Sequence, residues 1–460
     1  MRCTFGFAIL VLSSVALAQQ ALPDLGSSAS DADTRAKSYA IPAAEIVGFQ
    51  FLLNRIDHVI YGRDYRVTAS TIRRNLHHKW VVDNDPFKVN QLGHPYQGSI
   101  YHGLARSAGL GFWESMGYSF AGSMIWEIAG EDTLPSKNDQ IASGIAGSFL
   151  GESLFRMASL VLEKGEGQRF WREVAAAAIS PATGFNRVAF HDRFSEVLNS
   201  KNPAYYGRVQ VGASGTVIHQ AGNSTDVKGN ELLVDYSMDY GLPGKPGYHY
   251  DRPWDYFSFQ VTASSANAVE SMSTRGLLIG KEYEAGERYR GIWGLYGGYD
   301  YVSPQVFRVS STALSLGTTG EVRLANEIAV QGSLLAGMGY AGVGTVHGSL
   351  NTDYHYGVAP QALLALRVIY GDRASLDLTA RDFFVSHVAG SGNGGHDNIA
   401  RTDLTFTARV RREHGMAIKY LWSRRDATFP SLSDLSQSRA TIGLYYVYLG
   451  KERFGAVDWR

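Results

Sequence analysis

The 460-residue chain is nearly devoid of cysteine, and its one example, Cys3, lies in an N-terminal segment with the marks of an export signal. A mature chain without cysteine can form no disulfide, no zinc–thiolate site and no cysteine nucleophile. Net charge is also lacking, with 43 basic residues against 43 acidic ones, so the electrostatic footprint of a nucleic-acid partner is missing. Finally, no apolar run has the length and purity of a membrane-spanning helix. The run Phe5–Val15 is too short to span a bilayer. With Arg2 ahead of it and Ala16-Leu17-Ala18 behind it, it reads as a cleaved signal peptide over residues 1–18.

Glycine and tyrosine are abundant instead, with 51 and 26 residues. Tyrosine at this density suits a membrane–water interface, where one edge of the ring is apolar and the other hydrated. Residues 19–42 are small, polar and aperiodic, and are expected to be a disordered leader. A helical domain is expected over residues 43–204. Its first helix runs from Ala43 to about Tyr61, with Ile46, Phe49, Leu53, Ile56 and Ile60 at helical spacing. A long helical segment from Gly98 to Ala129, broken near Gly109 and Gly111, comes after a turn-rich stretch. A second starts at Ser136 and ends near Glu163.

In that second helix Ser136-Lys137-Asn138-Asp139 has the spacing of a capping box, in which the Ser136 hydroxyl and the Asp139 carboxylate each satisfy a free backbone amide. Ser143, Gly147 and Gly151, four apart, form a small-residue face that lets another helix approach closely. Both helices are long enough to cross a membrane, but Glu114, Glu127, Glu152 and Arg156 interrupt them at a cost of roughly 2.5–3.5 kcal/mol each at a bilayer centre.

From Tyr205 to about Gly450 the periodicity becomes two. Leu232, Val234, Tyr236, Met238 and Tyr240 alternate with polar residues, as do Phe257, Phe259, Val261 and Ala263, and later Leu404, Phe406, Ala408 and Val410. About twelve antiparallel strands are expected, joined by tight turns near Gly371 and Glu413 and by long loops such as HVAGSGNGGHDN and RRDATFPSLSDLSQS. Short turns at one end, long loops at the other and an even strand number describe an outer-membrane β-barrel over residues 205–450. The mainly-β fold class is therefore a barrel with a preceding α-helical domain. The chain continues past the last strand as a tail, residues 451–460.

Three groups carry possible chemistry. GYSFAG at Gly117–Gly122 is loosely like a nucleophile elbow but lacks the preceding strand, and His396-Asp397 reads as a solvated turn. His94, Glu114, Glu127 and Asp139 form a second group: carboxylates beside an imidazole, among apolar helices that shift their pKa values, suit acid–base work or a divalent metal. The bland alternative is that Asp139 caps a helix while the glutamates satisfy backbone or face water. The third group, Asn90, Gln91, Tyr96, Gln97, Asn186 and Arg187, suits a lipid headgroup or, more simply, docking of the helical domain on a barrel rim.

The set PFKVNQLGHPYQGSIYHGLAR, WES, PSKNDQIASGIAGSFLGE and SPATGFNR resembles an uncharacterised family of Gram-negative outer-membrane proteins, in which a helical domain of unknown function precedes a barrel. The resemblance spans roughly residues 50–200. The order His94, Glu114 or Glu127, then Ser136 and Asp139 opening a glycine-rich helix is more faintly similar to the VanZ-like membrane family. Neither implies a settled activity. The expectation is an outer-membrane protein with an envelope-structural or transport role, its helical domain a plug or a docking module. The alternatives are an enzyme acting on lipid or a cell-wall precursor through the His94–carboxylate group, and a secreted soluble β-sandwich. Outer-membrane lipid and the barrel-assembly machinery are the expected partners, and neither a metal nor a cofactor is assigned.

Overall fold

The computed structural model describes residues 37–62, 65–83, 85–165, 167–220, 227–345, 354–386, 395–429, 434–449 and 454–459. The signal peptide and most of the leader lie outside them. The described chain forms two units, a helical one ending at Ser200 and a strand-built one beginning at Lys201.

The helical unit contains α1 (Ala40–Tyr61), α2 (Ala69–His77), α3 (His94–Ser107), α4 (Phe112–Ala129), α5 (Lys137–Ile141), α6 (Gly147–Lys164), α7 (Arg169–Ile179) and α8 (Pro181–Phe190). Helix α1 starts three residues earlier than its periodicity suggests, because Pro42 falls in the first turn, where no intrahelical amide is needed. The break between α3 and α4 falls where glycine permits it: Gly109 has φ +86°. Two π-helical turns, Val89–Gly93 and Ala142–Ala146, lie directly ahead of α3 and between α5 and α6.

The small-residue face of the second long helix meets α3. A Cβ on Gly98 would lie 2.0 Å from the Ser143 carbonyl oxygen, and one on Gly147 would lie 2.7 Å from Gly98 Cα. This contact fixes α3 against α6 at backbone distance, which side chains of ordinary size would forbid. Around it Ile46, Tyr101, Leu104 and Ala182 form a buried apolar cluster. The continuous segment Lys137–Lys164 is apolar and long enough to cross a membrane, yet 83% of its most apolar window is buried within the protein, so it is accounted for as the core helix of this unit.

The strand unit is a closed twelve-stranded antiparallel barrel, β1 (Tyr205–Gln220), β2 (Val227–Tyr240), β3 (Phe257–Ser264), β4 (Ser271–Ala285), β5 (Tyr289–Val302), β6 (Phe307–Ala325), β7 (Ile328–Thr345), β8 (Tyr354–Tyr370), β9 (Ala374–Ser386), β10 (His396–Arg411), β11 (His414–Thr428) and β12 (Leu435–Tyr448), with β12 returning to β1. Closure removes the unpaired edges that a sheet of this size would otherwise expose. The least obvious division in the sequence, Val306–Leu324, is one strand, β6. Much of RRDATFPSLSDLSQS is strand as well, since β11 continues through Thr428 and β12 resumes at Leu435. Those residues look loop-like because both faces are polar there: Arg425 and Gln437 are buried inside, and the side chains of Arg424 and Asp426 are exposed outside.

The register sorts the side chains. On the outside, Leu334 pairs with Leu364, Leu366 with Leu378, Leu378 with Leu404, Leu404 with Tyr420, and Tyr420 with Ile442. Leu334, Leu366, Leu404, Tyr420 and Ile442 are all exposed, giving a continuous apolar row around this part of the wall. The tyrosines near strand ends divide: Tyr446 is exposed, whereas Tyr299, Tyr301 and Tyr356 are buried, Tyr356 stacked on Tyr340 at 5.2 Å.

Inside, charge faces charge across the lumen. Arg367 on β8 reaches Asp239 on β2 at 3.0 Å, and Arg208 on β1 reaches Asp377 on β9 at 2.8 Å. Lys419 on β11 contacts Asp235 on β2 at 3.3 Å, and Arg381 on β9 contacts Asp300 on β5 at 3.1 Å. In the ring order β8 and β2 are diametrically opposed, so the Arg367–Asp239 pair crosses the interior, whereas the other pairs join strands three or four places apart. A cavity of about 120 Å³ remains beside Arg208, Asp239, Arg367 and Asp377; a volume of that order admits a cluster of waters.

His396-Asp397 is not a solvated turn. It opens β10, and Asp397 is buried with its carboxylate 2.6 Å from Arg425 and 2.8 Å from His355. The glycines and asparagine ahead of it disguise the strand start. Beyond β12 the tail folds back into the barrel. Phe454 and Val457 join Tyr206, Tyr445 and Leu449 in a buried cluster, Gln331 donates to the Gly455 carbonyl at 2.6 Å, and the Val457 amide donates to Glu321 at 3.1 Å.

Candidate functional site

Helix α3 begins with His94, α4 carries Glu127 in its last turn, and α5 carries Asp139 in its first. One ligand-competent atom from each lies within 4.8 Å of the other two. All three residues are buried, His94 at 6% exposure and both carboxylates at 0%. The elements converge because Val81 pairs with Ser136 as an isolated bridge, which ties the strand-like segment before α3 to the start of α5. Each π turn adds a residue to its helix and so rotates the residues beyond it by about 100° relative to a regular helix. One such turn immediately precedes His94 and the other lies shortly after Asp139.

The capping box is only half formed. Ser136 Oγ accepts from the Asp139 amide at 3.3 Å, but the Ser136 amide donates to Glu127 Oε2 at 2.8 Å rather than to Asp139. Glu127 thus performs the capping expected of Asp139, and the Asp139 carboxylate points elsewhere. Its Oδ1 accepts from Asn138 at 3.1 Å, while Oδ2 sits 3.7 Å from His94 Nε2, too far for a hydrogen bond. Asp139 Oδ2 and Glu127 Oε1 are both buried without a hydrogen-bond partner. On its other edge the imidazole lies with Nδ1 3.4 Å from Ser143 Oγ.

A surrounding layer holds these groups in place. Asp83 Oδ1 accepts from both Asn90 and Asn138 at 2.6 Å, and the Asp83 amide donates to Asn138 Oδ1 at 3.1 Å. Burial pushes the Asp139 and Glu127 carboxyls well above the ordinary range, reinforced for Asp139 by Asp83 and for Glu127 by Glu131. Burial likewise raises Glu131 to about 8 and lowers His94 to about 4. Burial thus disfavours the charged form of both carboxyls and of the imidazole in the absence of a counter-cation. Chemically such a set can share protons or exchange them for a cation.

Glu114 does not join the group. It caps α4 through the Gly111 amide at 2.6 Å and accepts from Tyr39 Oη at 2.7 Å, near the surface and 3.7 Å from Lys37. Those backbone and tyrosine hydrogen bonds hold its carboxyl below the usual range. Nor does the GYSFAG segment form a nucleophile site: it lies within α4, and Ser119 Oγ donates to the Ser115 carbonyl at 3.2 Å.

The residues expected to dock or bind headgroups make their bonds inside the helical unit. Gln97 donates to Tyr101 at 2.5 Å, and Asn186 donates to Ser107 Oγ at 2.7 Å and to the Leu104 carbonyl at 3.2 Å. Arg187 forms a two-pronged pair with Glu173, both contacts at 2.7 Å. Asn90 and Gln91 are buried on the π turn, and Tyr96 is half-buried, its hydroxyl pushed up to about 12 by that burial.

A second centre was not singled out by sequence. Glu152 on α6 receives Arg106 Nε at 2.7 Å, Arg156 Nε at 2.8 Å and His102 Nε2 at 3.0 Å, all in the interior. Burial by itself raises the Glu152 carboxyl, but Arg106, His102 and Arg156 outweigh it and hold the group well below the usual range. The available signal was the i,i+4 spacing of His102 with Arg106 on one helix and of Glu152 with Arg156 on the other.

With both centres defined, comparison locates them in a known segment. Residues 79–182 match a domain of unknown function, DUF3943. The matched domain holds His94, Glu127 and Asp139 together with Glu152 and its partners. No curated relative matches the chain. Solved structures similar to it are barrels: the NanC porin at 7% identity, TM-score 0.26, covering 52% of this chain and 98% of that one; the KdgM porin at 9% and 0.22, covering 52% and 98%; and the translocator domain of the autotransporter NalP from Neisseria meningitidis at 15% and 0.24, covering 54% and 90%. With TM-scores this low they add nothing to what the strand pairing establishes. A likeness to the VanZ-like family is not shown by these comparisons.

Proposed function

We propose that the protein is an outer-membrane barrel with an envelope-structural role, in which the strand unit is a membrane anchor closed to solutes and the DUF3943-matching helical unit is the module it carries. The observation that supports this most directly is the Arg367–Asp239 pair between opposed strands. A diffusion channel keeps its charged side chains along the walls, whereas these meet across the interior. Twelve strands enclose a lumen between the side-chain-filled small barrels and the water-filled porins, so side chains of arginine length reach across it. The ion pairs therefore do the sealing that a helical plug would otherwise do. The apolar row from Leu334 to Ile442 supplies the lipid-facing surface, as in barrels whose outward positions are apolar while inward ones are polar. Outer-membrane lipid is thus the partner of the wall, and barrel-assembly machinery the partner during insertion.

Two measurements test this. Fractionation after detergent-free lysis should place the full chain with the outer membrane, and recovery in the soluble fraction overturns the membrane reading. In planar lipid bilayers the purified protein should show no steady conductance steps, whereas a long-lived open channel overturns the sealed anchor and favours transport.

A further inference from the structure

The geometry points to His94, Glu127 and Asp139 as the ligands of one divalent transition-metal cation held inside the helical unit. Donor chemistry, unspent ligand atoms and a supporting layer of hydrogen bonds all favour a cation here. One imidazole nitrogen and two carboxylate oxygens are the ligand types of zinc, manganese and ferrous iron; a nitrogen donor argues against calcium or magnesium, and the missing thiolate against cuprous copper. Two ionised carboxylates balance a divalent charge, so a bound cation neutralises its own ligands. Metal–ligand bonds of about 2.0–2.2 Å place ligand atoms roughly 3–4 Å apart, so closing the observed span of 4.8 Å requires only small side-chain movements.

The unspent atoms supply independent support. Asp139 Oδ2 and Glu127 Oε1 are fully buried without a hydrogen-bond partner, and Asp139 Oδ2 faces His94 Nε2. Leaving two such oxygens unsatisfied costs about 1–3 kcal/mol each, a cost that coordination removes. Each ligand is also positioned from behind. Glu127 is fixed through its other oxygen by the Ser136 amide, and Asp139 through its other oxygen by Asn138, which Asp83 holds in turn. His94 Nδ1 lies 3.4 Å from Ser143 Oγ, a partner for the Nδ1 proton in the tautomer whose Nε2 is a ligand. The imidazole is 7% exposed against 1% for Asp139, so all the candidate ligands lie in the interior.

The test uses the full chain, purified in detergent without a histidine tag, stripped with chelator and titrated with Zn²⁺, Mn²⁺ or Co²⁺. One equivalent per chain should bind, with Co²⁺ developing visible absorption bands. Asp139→Asn and Glu127→Gln should abolish that equivalent. Asp83→Asn, acting through Asn138, should weaken it about 10–100-fold, and Glu114→Gln should leave it intact. Retention of the full equivalent by both ligand variants overturns the assignment, as does failure of all three cations to bind the wild-type protein. Should the ligand variants not fold, X-ray absorption on the Zn²⁺-loaded wild type decides. A nitrogen–oxygen shell with imidazole scattering supports the site, and a shell without imidazole overturns it.

Discussion

Replacing Glu152 by Gln should unfold the helical unit at a markedly lower temperature. The carboxylate is fully buried and compensates Arg106 and Arg156, with contacts of 2.7 and 2.8 Å. The amide keeps the shape and some hydrogen bonds but removes the charge, leaving two guanidinium groups confronting each other in the interior. Each arginine–carboxylate attraction is worth about 4 kcal/mol at 4 Å and an effective dielectric of 20. Part of this is returned because the uncharged amide is easier to desolvate. Breaking a buried pair by removing one partner costs about 3–5 kcal/mol net. For a unit of this size, at roughly 2–4 °C per kcal/mol, that amounts to a fall of roughly 6–20 °C. Hydrogen exchange at the α3 and α6 amides during a temperature series on the full chain isolates this unit from the barrel. Glu114→Gln, which removes a near-surface carboxylate, serves as the control. A fall of less than roughly 2 °C for Glu152→Gln refutes the reasoning, since it would mean that the arginines find other compensation.

Gly98→Ala should destabilise the same unit by about 1–3 kcal/mol or more, because the added methyl meets the Ser143 backbone and not a yielding side chain; a denaturant midpoint equal to wild type contradicts the close helix contact. Glu45→Gln tests pH dependence. Burial raises the Glu45 carboxyl to about 7, so the folded state binds a proton that the unfolded state releases near its ordinary value of about 4.3. Stability contributed by this group is present below that value and is lost as pH rises toward 7. The variant should therefore be more stable than wild type at pH 8, by about 1 kcal/mol after allowance for partial exposure, and no more stable at pH 4. Equal melting temperatures at pH 8 would count against the shift.

The barrel was legible because a period of two survives in nearly every strand, and the apolar outer face and polar inner face come from it directly. What fills the lumen was not. Arg367 and Asp239 are 128 positions apart, Lys419 and Asp235 184, and only closure of the sheet brings such residues together. His94, Glu127 and Asp139 drew notice as charges interrupting apolar helices, but by that criterion Glu114 was indistinguishable from them. It separates only because Gly111, three residues earlier, offers it a backbone amide. The capping spacing at Ser136 pointed to Asp139 when the amide had already been claimed by Glu127, nine residues back and on another helix. Asp83 was hidden in a turn-rich stretch, and neither π turn perturbs the apolar periodicity enough to be read. Those two features account for a cation site emerging from a sequence to which no metal was assigned.

The inward-folded segment around Phe454 and Val457 couples its own burial to closure of the ring. Its binding surface is composite: Tyr206 comes from β1, Glu321 from β6 and Gln331 from β7, and the tail itself extends from β12. No partial sheet offers that surface, and a one-residue slip of a strand turns its inward groups outward. A chain that closes in another register leaves Phe454 and Val457 in contact with water. Burial of Phe454 and Val457 therefore depends on the ring having closed in register.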